Sequence, residues 1–87
     1  MNYKIVEVEW IDAHSSMDSI TLSELRKQKP FKTRSCGYLI HKDNEKTILA
    51  FMVFGFNYEQ EPILKHYQVI PTKMIKKIKE IRESEKI

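Results

Sequence analysis

Seven consecutive residues, Ile48-Leu49-Ala50-Phe51-Met52-Val53-Phe54, are apolar. A strand with one wet face alternates apolar and polar side chains, so this run demands cover on both faces. It is far below the roughly 20 residues that span a bilayer as a helix. Turn-forming Asp43-Asn44-Glu45 precedes it and Gly55 follows, which reads as one long strand, Lys46 to Phe56. Either the strand bends strongly around a core, or a neighbouring subunit covers its second face. The chain has 87 residues, enough for one domain. A domain of that size buries only about 60% of its unfolded surface, so assembly would supply burial that it lacks alone. The expectation is a homo-oligomer.

The other elements follow from period and punctuation. From Tyr3 to Trp10, Val6, Val8 and Trp10 point one way and Ile5, Glu7 and Glu9 the other, the pattern of a half-buried strand. Small polar residues from Asp12 to Ser16 end it. Thr21-Leu22-Ser23-Glu24 has the form of a capping box and predicts a helix over Leu22 to Gln28, with Leu22 and Leu25 on the core and Pro30 beyond its end. Arg34 to His41 reads as the second strand. Asp43 to Glu45 reads as a hairpin turn, whose Asp and Asn tolerate left-handed backbone angles. Asn57 to Pro62 reads as a loop, and Leu64 to Ile70 as a fourth strand ending at Pro71. Met74, Ile75, Ile78 and Ile81 have helical spacing, with Lys76, Lys77, Lys79, Glu80 and Arg82 on the other face, and residue propensity favours a helix there. Residues 1–83 read as a single domain and residues 84–87 as a flexible tail.

The chain is 41% hydrophobic and 31% charged, with a net charge of +3. Its cations cluster in two stretches, Arg26 to Arg34 and Lys73 to Arg82, which serve either as solvated faces or as a positive rim for an anionic ligand. Cys36 has no partner for an internal disulfide and fits a small buried thiol in a strand. With no secretory pattern at the N-terminus and no membrane-spanning run, the expected location is cytoplasmic.

Gly37-x-Leu39-x-x-x-Asp43, with polar Thr47 four positions on and a late Ile70-x-x-x-x-Ile75, resembles the two-part signature of Sm-like proteins. The resemblance covers Cys36 to Ile75 and implies a mainly β fold: a five-stranded, strongly bent antiparallel small barrel, Sm-like or SH3-like. It also implies a tight turn over Pro71 to Met74 and a last strand over Ile75 to Ile81, preferred here to the helix, so that residues 1–83 form a single small barrel domain. One short helix is inserted between strands 1 and 2, where the family has a tight connection. Thr47 stands where the family usually has Asn, and Pro71-Thr72 where it usually has Arg-Gly. The family's RNA-contacting groups are therefore missing. A looser pattern is Val8-Glu9-Trp10-Ile11-Asp12-Ala13, Ser35-x-Gly37-x-Leu39, Ile48-Leu49-Ala50 and Ile70-Pro71. It looks like small uncharacterised bacteriophage proteins, a group that includes oligomeric sponges for the nucleotide signals of bacterial immunity.

No His or Cys lies at metal-ligand spacing, and no glycine-rich phosphate loop is present, since the only glycines are Gly37 and Gly55. Asp12, His14 and Ser15 have the residue types of a nucleophilic triad, but neighbours in one loop rarely reach its geometry. His41 and His66 fit positions on sheet faces, as do Tyr38 and Tyr67. Trp10 either packs in the core with its N–H on one acceptor, or stacks on a purine with Asp12 accepting from base or ribose. Arg34 either forks onto a phosphate or is a strand-end cation.

The function expected is non-enzymatic, without cofactor or metal: an oligomer that sequesters an anionic nucleotide, an anti-defence role. Its ligand-binding set would be Trp10, Asp12, His14, Ser15, Arg34 and Lys73 at subunit boundaries. Two alternatives stand beside it, an Sm-like ring for single-stranded RNA and a module that inhibits a host protein by docking through Phe51, Phe54 or Phe56.

Overall fold

The computed structural model describes residues 3–54 and 61–82. The bend expected at Gly55, the end of the third strand at Phe56, the loop from Asn57 through Gln60 and the tail 84–87 lie outside them. Five strands form one antiparallel sheet: β1 Ile5–Asp12, β2 Phe31–Lys42, β3 Lys46–Phe54, β4 Ile63–Pro71 and β5 Ile75–Glu80. Their order across it is β4-β3-β2-β1-β5. A five-residue helix α1, Leu22–Arg26, lies between β1 and β2, and a 3₁₀ turn, Thr72–Met74, between β4 and β5. No helix among the described residues is long and apolar enough to cross a membrane. The ambiguous tail is thus turn and strand.

That 3₁₀ turn constrains the sheet. β4 and β5 sit at opposite edges, which in a flat five-stranded sheet lie about 19 Å apart. A three-residue 3₁₀ segment rises only about 6 Å, so the sheet must roll its edges together at this end. It rolls without closing, because no ladder joins β4 to β5. Hydroxyls fix the roll to the β2–β3 hairpin. Thr72 Oγ1 donates to the Asp43 carbonyl at 2.7 Å, so its lone pair takes the proton of the buried Thr47 hydroxyl, 3.0 Å away. The Thr72 N–H reaches the Glu45 carbonyl at 3.1 Å.

Inside the roll lie Val6, Val8 and Trp10 of β1, Leu49 of β3 and Ile70 of β4, with Leu39, Ile75 and Ile78 against them. The alternation expected in β1 is met, and the indole N–H of Trp10 donates to Ser35 Oγ at 3.0 Å. Register assigns the faces of β2. Val6, Val8 and Trp10 oppose Gly37, Ser35 and Thr33, which share their inward face. Cys36 opposes Glu7 and is exposed, so the expected buried thiol is corrected.

Strands β2 and β3 pair only from Lys42↔Thr47 to Tyr38↔Ala50. Beyond that point the sheet forks. The first half of β2, Phe31 to Gly37, pairs with β1 alone, and Met52 to Phe54 pairs with β4 alone. Gly37 is buried at the parting, where a Cβ would stand 2.8 Å from the Ala50 carbonyl oxygen. On β4, His66 has φ 56°, the left-handed region, opposite the start of the free arm. A non-glycine residue there costs about 1–3 kcal/mol and marks a local bend.

Two further expectations are corrected. Leu22 and Leu25 are 61% and 54% exposed, because α1 stands off the sheet and buries no residue. The helix also ends at Arg26 rather than Gln28. Thr21 Oγ1 caps it by accepting from Glu24 N at 3.3 Å, while the Glu24 carboxylate turns to Lys27 Nζ, 3.9 Å away. The hairpin at Asp43 needs no left-handed residue, since His66 is the only non-glycine one with positive φ among the described residues. The Asp43 carboxylate instead accepts from both Glu45 N and Lys46 N at 2.8 Å.

Gly37→Ala tests the fork. Its methyl group would meet backbone, which cannot rotate away as a side chain tip can. The expected loss is about 1–3 kcal/mol in chemical denaturation. An unchanged midpoint would mean that β2 and β3 do not cross this closely.

Candidate functional site

The six residues singled out in the sequence fall into separate places. Trp10 is 7% exposed and belongs to the core, so no open indole face is offered for stacking. Arg34 lies inside β2 rather than at its start, opposite Glu9 on the outer face, and its Nε stands 3.5 Å from Glu9 Oε1. Consecutive strand residues face opposite ways, so Trp10 and Arg34 cannot grip one ligand within a single chain. Arg34 shares a shallow depression of about 220 Å³ with Glu7, Glu9, Lys77 and Lys79. Two carboxylates there offset most of the three cations. Lys73 is exposed in the 3₁₀ turn. Asp12 ends β1 opposite Phe31.

His14 and Ser15 do come together, in a larger cleft. It encloses about 710 Å³ between residues 13–20, the end of α1 and the start of β2. His14 Nε2–H donates to the Lys29 carbonyl at 2.8 Å. Its ring stacks on Phe31 with centroids 3.9 Å apart and planes 1° from parallel. The pair forms because β1 and β2 are antiparallel neighbours: the chain leaving β1 after Asp12 must pass the residues entering β2 at Phe31. Leu25 and Ile20 give the cleft apolar wall, and Gln28 and Lys29 its polar rim. Phe31 and Leu25 were not among the sequence candidates. The signal was available in Pro30-Phe31, an aromatic at a strand start directly after a helix breaker.

A second polar constellation sits at the β2–β3 hairpin. His41 Nε2 lies 2.6 Å from Asp43 Oδ2. This imidazole, then the Lys46 and Glu45 N–H groups, hold the Asp43 carboxyl down at about 2 against an ordinary 3.8. The same aspartate that shapes the turn is therefore ionised through most of the acid range.

Compared with known proteins, the chain matches no family model, no curated protein and no solved structure.

A carboxyl whose folded pKa is depressed adds stability that is complete above its unfolded value and lost as pH falls through its folded one. Asp43 should then stabilise the hairpin fully above about pH 4, with the contribution vanishing near pH 2. Carbon-detected NMR titration of the Asp43 carboxyl should give a midpoint near 2. A midpoint near 4 would mean that the turn does not hold it as described.

Proposed function

We propose that this chain is a non-enzymatic binding subunit, a small rolled barrel of the Sm-like or SH3-like kind that assembles with copies of itself. The observation that carries the reading is the β3–β4 arm beyond the fork. A two-stranded ribbon is marginal in water by itself. Here Phe51 and Ile63 are 67% and 70% exposed, with Met52 and Phe54 also open, and before the fork Tyr67 and Val69 of β4 are exposed as well. The molecule is drawn out to 56 × 34 × 25 Å with a radius of gyration of 17.1 Å, where a compact chain of this length has about 12 Å. Its accessible surface is 7944 Å². A folded monomer of this mass exposes roughly 5,400 Å². The excess, on the order of 2,500 Å², is shared by the arm and the exposed insert of residues 13–30.

The ligand we assign to the assembled protein is an anionic nucleotide, held rather than turned over, as in a phage-type sponge for immune signals. Its support is the cleft of His14 and Ser15, which Lys29 of the basic stretch lines. An RNA-reading ring is less well supported. Thr47, at the position where the Sm-like signature carries its polar contact, is fully buried and bonded to Thr72.

Light scattering at micromolar concentration should give a mass of several chains. The variant carrying Phe51→Ser and Ile63→Ser should fall toward one chain and keep its circular dichroism, since both side chains are exposed in the protomer. A wild-type mass of one chain would refute self-assembly and leave the arm to a different protein.

A further inference from the structure

The cleft beside α1 has the chemistry of a site for a flat, nearly uncharged ring. Its volume, about 710 Å³, lies within the roughly 300–1,000 Å³ of small-molecule sites. One charged group of each sign lines it, Lys29 and Asp18, so its formal charge is close to balanced and gives no strong pull on a phosphate. The backbone N–H of Asp18 donates to Ser16 Oγ at 3.1 Å, a local turn in the cleft wall. The aromatic part is built in advance. His14 is anchored to the Lys29 carbonyl and lies flat on Phe31, so two rings already share one plane direction at the cleft. Phe31 nevertheless remains 55% exposed, more than an aromatic retained only for packing requires. Ile20 and Leu25, half exposed, add apolar wall, and Ser15 and Ser19 add hydroxyls that donate or accept.

We infer that this cleft binds the ring of a nucleoside-class ligand by extending the His14–Phe31 stack, and recognises the ring rather than the phosphate. The inference rests on the nucleotide reading above and sharpens it. The base is placed at His14 and Phe31, away from Trp10 and Arg34, and any phosphate extends out of the cleft. Stacking of a base on an aromatic side chain is worth about 1–3 kcal/mol by alanine substitution, a loss of roughly fivefold to over a hundredfold in affinity.

Calorimetry with adenosine, AMP and ribose 5-phosphate separates the possibilities. Adenosine and AMP should bind within about threefold of each other, and ribose 5-phosphate should not bind. Phe31→Ala and His14→Ala should each lower adenosine affinity by about tenfold, and Arg34→Ala should leave it unchanged. Should the loop rearrange in those variants, Ile20→Glu offers an independent check, placing a charge on the apolar wall without touching the stack. It too should abolish adenosine binding while the melting temperature stays that of wild type. If ribose 5-phosphate matches AMP and adenosine fails, the ring assignment is overturned and a nucleotide site survives elsewhere. Binding of AMP unaffected by any cleft variant has the same meaning. Failure of all three compounds overturns this inference and the nucleotide reading together, and leaves self-assembly standing.

Discussion

The close approach of Gly37 to the Ala50 carbonyl is the constraint on which the remaining architecture depends. Only a residue without Cβ lets β2 lie this near β3 while both strands turn away from each other. On one side of the crossing, β1 and the first half of β2 carry Val6, Val8 and Trp10 into the roll. On the other, β3 continues with β4 alone as a two-stranded arm. The apolar run that spans the crossing therefore has two environments. Leu49 and Ala50 are buried at the fork, whereas Phe51, Met52 and Phe54 emerge beyond it. A single strand thus serves both as core and as uncovered surface.

At the other end the turn between β4 and β5 is tied to the β2–β3 hairpin by hydrogen bonds. Asp43 shapes its own turn with its carboxylate, and its backbone carbonyl accepts from Thr72. Thr47 completes the link from inside. The hydroxyls of Thr47 and Thr72 face each other. Their donors and acceptors are used within the fold, leaving little to offer a phosphate or a base. The binding role proposed above therefore falls on the insert between β1 and β2, where His14 and Phe31 are exposed.

Much of this was legible in the residues. Alternation gave the inward face of β1, and Thr21 announced the helix cap. Asp43 announced the hairpin, whereas the helical spacing and propensity of Met74 to Ile81 pointed away from the turn and strand that form there, which only the resemblance implied. What was not legible depended on partners distant in the chain. Leu22 and Leu25 have the spacing of a buried helical face, but a five-residue helix at a sheet's end finds no surface to cover them. Cys36 looked buried by residue type, while the pairing of Val6 with Gly37 sends it outward. The site scattered for the same reason: Trp10 and Arg34 are near in the sheet yet on opposite faces. The cleft, in contrast, unites residues on either side of an insertion that contains α1.

The central claim is that the arm beyond the fork is finished by another copy of the chain. Amide hydrogen exchange followed from nanomolar to high micromolar protein tests it segment by segment. Exchange over Phe51–Phe54 and Ile63–Tyr67 should slow as concentration rises, because the ribbon gains cover only on assembly. Exchange over Lys46–Ala50, already held between β2 and β4, should stay constant. Rates in the arm that do not change with concentration would contradict the account.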